Sequence, residues 1–189
     1  ELGVPAPAPR AGLGKIVEAK VIVDASYEGD VMAGAGVNYA IGREPAAIRE
    51  IIKRVVPEFD MPGHTNAALA SYAELNCDGK ARELYTGIEV GFSTLCTNKE
   101  ITYQFVDDVI RELAAITPAL YIHIGGDESH ATKIEDYIPF INRVQDIVAA
   151  HGKKVMGWDE IALSTLKPNT VAQYWAEVKN VNLALGQGA

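Results

Sequence analysis

Positive charge is what this chain has least of. Lys and Arg number 17 against 25 Asp and Glu, for a formal net charge of −8. No basic stripe can track a phosphate backbone, so nucleic-acid binding is not expected. Long apolar runs are missing too: nothing approaches the about 18 residues of a membrane span, and no membrane partner is expected. The opening ELGVPAPAPR has neither an initiator Met nor the apolar centre of a signal peptide, the look of a processed or excised chain.

Cysteine is scarce. Cys77 and Cys96 stand alone in a stretch rich in loop residues. A bond between them would close a loop of about 20 residues, contribute roughly 3 kcal/mol and imply an oxidising compartment. Two free thiols are the other open reading.

Nucleotide loops are also lacking. Gly14-Lys15 has Pro9 where a phosphate loop needs its first Gly and Ile16 where it needs Ser or Thr. Gly34 and Gly36 begin a dinucleotide fingerprint, but Tyr39 fills the third glycine position. No cofactor is expected.

What is present is an ordinary globular composition, 48% hydrophobic and 22% charged over 189 residues, enough for one domain with a core. The first residues, ELGVPAPAPRAGLG, have linker composition. Val21, Ile22 and Val23 read as a buried strand, and Pro45 opens a short amphipathic helix. Apolar runs then recur at 55–59, 120–126, 154–158 and 171–175. Between them, 103–116 and 136–152 carry helical periodicity, the second ending at Gly152. Strands alternating with helices predict an α/β fold with a parallel sheet.

In a parallel β/α barrel, residues at the carboxyl ends of the strands line the cleft. Those ends carry Asp60 and His64, Asp127 and Glu128, Trp158 and Asp159, and Tyr174 and Trp175. Asp127 beside Glu128 is unusual, because on a regular strand the two would point to opposite faces. Ordinary alternatives stand beside this reading. The acids could be a solvated turn, and Trp158 and Trp175 could be core aromatics. His123, Asp127, Glu128 and His130 could bind metal, though their spacing matches no standard signature. His123 reads as a buried structural histidine, and His151 as a helix C-terminal residue.

PEFDMPGH (57–64), HIGGDE (123–128), GWDE (157–160) and QYW (173–175) together resemble successive strand ends of glycoside hydrolase family 20, the β-N-acetylhexosaminidases. The resemblance covers roughly residues 46–178. It implies a TIM-type (β/α) barrel, present in part as about strands 3 to 6 over residues 45–189, behind a linker and atypical segment at 1–44. It also implies a retaining mechanism in which the substrate's 2-acetamido oxygen is the nucleophile. Glu128 would be the acid and base, and Asp127 would orient the acetamido group. His64 would support Glu128, and Trp158 and Trp175 would wall the sugar. The partner implied is a glycan bearing terminal N-acetylhexosamine, and the localisation is secreted or extracellular.

Departures are specific. No early Arg matches the family's sugar-gripping residue, and no second-strand Asp matches its histidine partner. The late acetamido-binding Tyr and Asp, and a last-strand Trp, would lie beyond Ala189. Residues 21–44 instead resemble a segment of FAD-dependent oxidoreductases, which makes a flavoprotein piece one alternative. A catalytically inert sugar-binding fragment is another. A partial barrel would leave open edges for self-association or a partner to cover.

Overall fold

The computed structural model describes residues 55–189. The strand expected at 21–23, the segment at 21–44, the helix opened by Pro45 and the boundary between residues 44 and 45 lie outside the described residues.

Helix α1 (Asn66–Ser71) and a 3-10 turn (Ala73–Leu75) precede α2 (Glu100–Ile116), β1 (Tyr121–His123), α3 (Ile134–Ala150) and β2 (Lys154–Trp158). A 3-10 helix (Asp159–Leu163), β3 (Val171–Gln173) and α4 (Val178–Gly186) complete the order. The three strands form one parallel sheet in chain order, with Ile122 opposite Val155 and Gly157 opposite Ala172. Chain order with helical crossovers is the arrangement of a β/α barrel wall.

The strand expected at 55–59 is reduced to isolated bridge residues at Val55 and Glu58. Glu58 pairs with His123 in parallel. His123 N–H donates to Pro57 O, and Phe59 N–H to His123 O, both at 2.9 Å. Pro57 has no N–H of its own, so a continuous ladder cannot form there. The strands expected at 121–126 and 171–175 are also shorter, ending at His123 and Gln173. The first stops early because Gly125 and Gly126 turn the chain out with φ of 66° and 100°. The result is a four-station arc of a barrel, and the described residues do not close a ring.

Two amphipathic helices cover the arc. α2 buries Thr102, Tyr103, Val106 and Ile110, and α3 buries Tyr137, Phe140, Ile141, Val144, Gln145 and Val148. This three-and-four spacing puts one stripe of each against the sheet residues Ile122, Ile124 and Val155 in a single core. At the end of α3, Gly152 adopts φ 72°, Gly152 N–H donates to Ala149 O and Lys153 N–H to Val148 O. That is a Schellman cap, and it explains why a glycine follows the helix. His151 sits at the C-cap, its Nε2 2.8 Å from Asp107 Oδ1 on α2. Cys77 and Cys96 are bonded, with Cα atoms 4.9 Å apart, so the free-thiol alternative does not hold. The bond closes the long loop between the 3-10 turn and α2.

Candidate active site

Two turns at the carboxyl ends of the first two stations carry the polar centre. After Ile124 the chain passes through Gly125 and Gly126 into Glu128, itself at φ 44°, while His64 sits at φ 56° after a cis Met61–Pro62 bond. Left-handed backbone at non-glycine residues is strained and occurs mostly where surrounding structure enforces it. Here Ser129 joins the turns: its hydroxyl accepts Gly63 N–H at 3.1 Å and donates to Asp127 O at 3.3 Å. Tyr137, buried on α3, donates its hydroxyl to Gly126 O at 2.6 Å.

This turn lets adjacent acids face one way. His64 Nε2 lies 3.4 Å from Asp127 Oδ2 and 3.3 Å from Glu128 Oε2. Both carboxylates thus converge on one imidazole, where alternation along a strand would have separated them. One polar atom from each of Asp60, His64 and Asp127 lies within 4.8 Å of the other two. Asp60 Oδ1 accepts Gly126 N–H at 3.2 Å. Burial, then the negative charge of Asp127, pushes the Asp60 carboxyl up to about 8. Burial also raises Asp127, opposed by its own backbone N–H and by His64.

The metal set named from sequence does not assemble. His123 is fully buried, its Nδ1 2.9 Å from Glu58 Oε1, and His130 packs against Gly91. Gly125 N–H also points at His123 Nδ1, at 3.2 Å. The shorter contact, to a carboxylate, assigns the proton to Nδ1. The structural role expected of His123 is what the chain shows.

The aromatic residues form a second side. Trp158 is half-buried, edge-on to His123 at 5.0 Å and to Trp175 at 6.2 Å between ring centroids. Its indole N–H donates to Glu58 Oε1 at 3.1 Å. Trp175 is 45% exposed, and its indole N–H reaches Glu160 Oε2 at 3.0 Å. Tyr174 is 57% exposed and stays outside this pair.

Sequence reasoning passed over the residues that hold Trp175 in place. Asp159 is fully buried and accepts the N–H groups of Trp175, Ala176 and Glu177 at 2.9, 3.0 and 3.1 Å, and the Asn180 amide at 3.0 Å. Burial alone would push its carboxyl up, but the backbone donors and Asn180 outweigh it and hold it below the usual carboxylate range. It therefore ties Trp175 and the start of α4 to the end of β2. Burial raises Glu160, opposed by its backbone hydrogen bond and by Trp175. The signal for Asp60 and Asp159 was their strand-end position, but their partners lie far off in sequence.

Residues 44–189 match glycosyl hydrolase family 20, catalytic domain. The chain belongs to that family. This family 20 chain is 45% identical over 138 residues to a beta-N-acetylhexosaminidase of Cellulomonas fimi, covering 69% of the chain and 28% of the relative. It is 32% identical over 171 residues to a beta-hexosaminidase of Porphyromonas gingivalis, covering 75% and 22%. A mutant Streptomyces plicatus beta-hexosaminidase, solved in complex with product GlcNAc, superposes with a TM-score of 0.68 at 52% identity. That superposition covers 73% of this chain and 30% of the other. The chain thus spans less than a third of the length of these relatives, and its arc is part of a TIM-type barrel.

Proposed function

We propose that this chain carries the acid and acetamido-orienting half of a β-N-acetylhexosaminidase site. The reaction is hydrolysis of terminal, non-reducing β-linked N-acetylglucosamine or N-acetylgalactosamine, with retained configuration. The observation that carries this reading is the convergence of Asp127 and Glu128 on His64. One imidazole nitrogen beside two carboxylates lets one acid be poised for proton transfer while the other keeps its charge.

Glu128 protonates the departing glycosidic oxygen and later takes a proton from water. Asp127 accepts a hydrogen bond from the acetamido N–H as the acetamido oxygen attacks the anomeric carbon, and its charge stabilises the oxazolinium-like intermediate. His64 steadies Glu128. The edge-to-face pair Trp158 and Trp175 offers apolar surface to the sugar ring and acetamido methyl. The Cys77–Cys96 bond supports a secreted or extracellular setting. Val178, Leu183 and Leu185 on α4 are exposed, and they and the β3 edge are where a partner or second copy would sit.

An assay of the purified chain on a chromogenic β-N-acetylglucosaminide tests the proposal. Glu128→Gln should lower kcat by about a hundredfold or more, most for poor leaving groups. Asp127→Asn should slow formation of the cyclised intermediate by a comparable factor. Turnover indifferent to both changes removes the site assignment. An inert chain that still binds GlcNAc favours the second reading, a sugar-binding fragment, for which the exposed Trp175 is the specific observation.

A further inference from the structure

Glu58 has no part in the mechanism above, yet it joins the first station of the arc to the aromatic side of the site. Phe59, Ile122, Ile124 and Val155 pack into the helix-covered core. Alternation along each strand therefore turns Glu58, His123 and Trp158 to the opposite, cleft side. Glu58 pairs with His123 of β1, and its side chain reaches past β1 to the end of β2. One oxygen carries both contacts. Glu58 Oε1 lies 2.9 Å from His123 Nδ1 and accepts the Trp158 indole N–H at 3.1 Å. Two donors match the two lone pairs of that oxygen. The anchors are enclosed: the His123 side chain is 0% exposed and that of Glu58 9%.

An indole has a single polar atom. With its N–H bound to Glu58, what Trp158 offers a ligand is carbon surface. Its other ring contacts are edge-on, to His123 at 5.0 Å and to Trp175 at 6.2 Å. A hydrogen bond to a charged group outweighs one such aromatic contact. Glu58 is therefore the contact that decides how the ring is turned.

We propose that Glu58 is a positioning residue for the sugar wall: held by His123, it takes up the Trp158 indole N–H and sets the ring so that carbon surface, and no donor, meets the acetamido methyl. The selectivity rests on the hydrolase reading of the site; the orientation of the ring does not. A wall without a donor favours a methyl group over a hydroxyl at the 2-position of the sugar. A freed N–H would offer that hydroxyl a partner and leave the ring to turn.

The chain has two tryptophans, so 15N-indole labelling of the full protein gives one side-chain N–H signal for each. Glu58→Gln keeps an oxygen for both donors, and Glu58 Oε2 has no partner among the described residues to lose. Glu58→Met keeps the length and removes the acceptor. In Glu58→Met the Trp158 signal should move upfield and exchange with solvent about tenfold faster. The Trp175 signal should stay in place, since its acceptor is Glu160. In Glu58→Gln both signals should remain near their wild-type positions. KM for a chromogenic β-N-acetylglucosaminide should rise about tenfold in Glu58→Met with kcat little changed, because a wall binds the sugar alike before and during reaction. Glu58→Gln should restore most of that affinity, and preference over the matching β-glucoside should fall only in Glu58→Met. A Trp158 signal unmoved in Glu58→Met, or moved equally in both variants, overturns the proposal, as does a fall in kcat at constant KM. Should Glu58→Met fail to fold, exchange of the Trp158 N–H in the wild type and Glu58→Gln decides it: protection in both supports the proposal, and exchange at the rate of a free indole overturns it. A chain that neither cleaves nor binds the sugar counts against the proposed function, while the indole signals still decide what holds the ring.

Discussion

Gly125 shows how one absent methyl group shapes the site. Its φ is 66°, and an added Cβ would overlap Asp60 Oδ1. Gly152 has a similar φ of 72°, but an added Cβ there would meet nothing within 4 Å. Gly152→Ala should therefore cost about 1 kcal/mol, the penalty of left-handed backbone alone. Gly125→Ala should cost that and displace Asp60 as well, lowering stability by roughly 3 kcal/mol or more and disturbing the acid cluster. Denaturant unfolding of the two variants side by side checks the difference; equal losses would mean that the Asp60 contact carries no energy.

Segments are positioned by single connections between them. Asp159 is the strongest case, because four donors from the Trp175 segment and α4 end on its carboxylate. Asp159→Ala should leave those buried donors unpaired and destabilise by on the order of 3 kcal/mol. It should also loosen Trp175, read as a change in tryptophan fluorescence. If the fluorescence is unchanged while stability falls, Trp175 is held by its Glu160 contact instead. The Cys77–Cys96 bond ties the 77–96 loop, whose Gly91 O accepts Ala131 N–H at 2.9 Å just beyond Glu128. Reduction should cost roughly 3 kcal/mol by releasing loop entropy in the unfolded chain. A reduced protein with an unchanged denaturation midpoint would contradict this.

Over the whole molecule, buried acids give stability a pH dependence of a particular sign. Asp60 goes from 3.8 in the unfolded chain to about 8 in the fold. Between those values the folded state holds a proton that the unfolded state has released, so stability is fullest below about 4 and is lost as pH rises through about 8. The raised carboxyls of Asp127 and Glu160 act in the same direction. Asp159 acts oppositely: its contribution is present above the ordinary carboxylate range and is lost as pH falls through its lowered value. Melting temperature should therefore fall between mildly acidic and mildly alkaline pH, and Asp60→Asn should flatten that slope. A slope unchanged in the variant would assign the effect to other groups.

Local patterns carried much of this protein in the sequence itself. The stripes at Val106 and Ile110 and at Phe140, Val144 and Val148 placed both helices, because one face of each must leave water. HIGGDE and PEFDMPGH marked Asp127, Glu128 and His64 as candidates, because a strand end in a parallel sheet is where polar residues reach a cleft, and the three side chains do converge. Shorter strands, the Cys77–Cys96 pairing and the convergence of two adjacent acids were decided only by tertiary structure. Pairing needs the partner's backbone in register, and Pro57 withdraws a donor that no periodicity count registers. The raised carboxyl of Asp60 is of the same kind: an aspartate is an ordinary acid until folding buries it near Asp127, Glu58 and a glycine turn, and those neighbours are brought together only by the sheet.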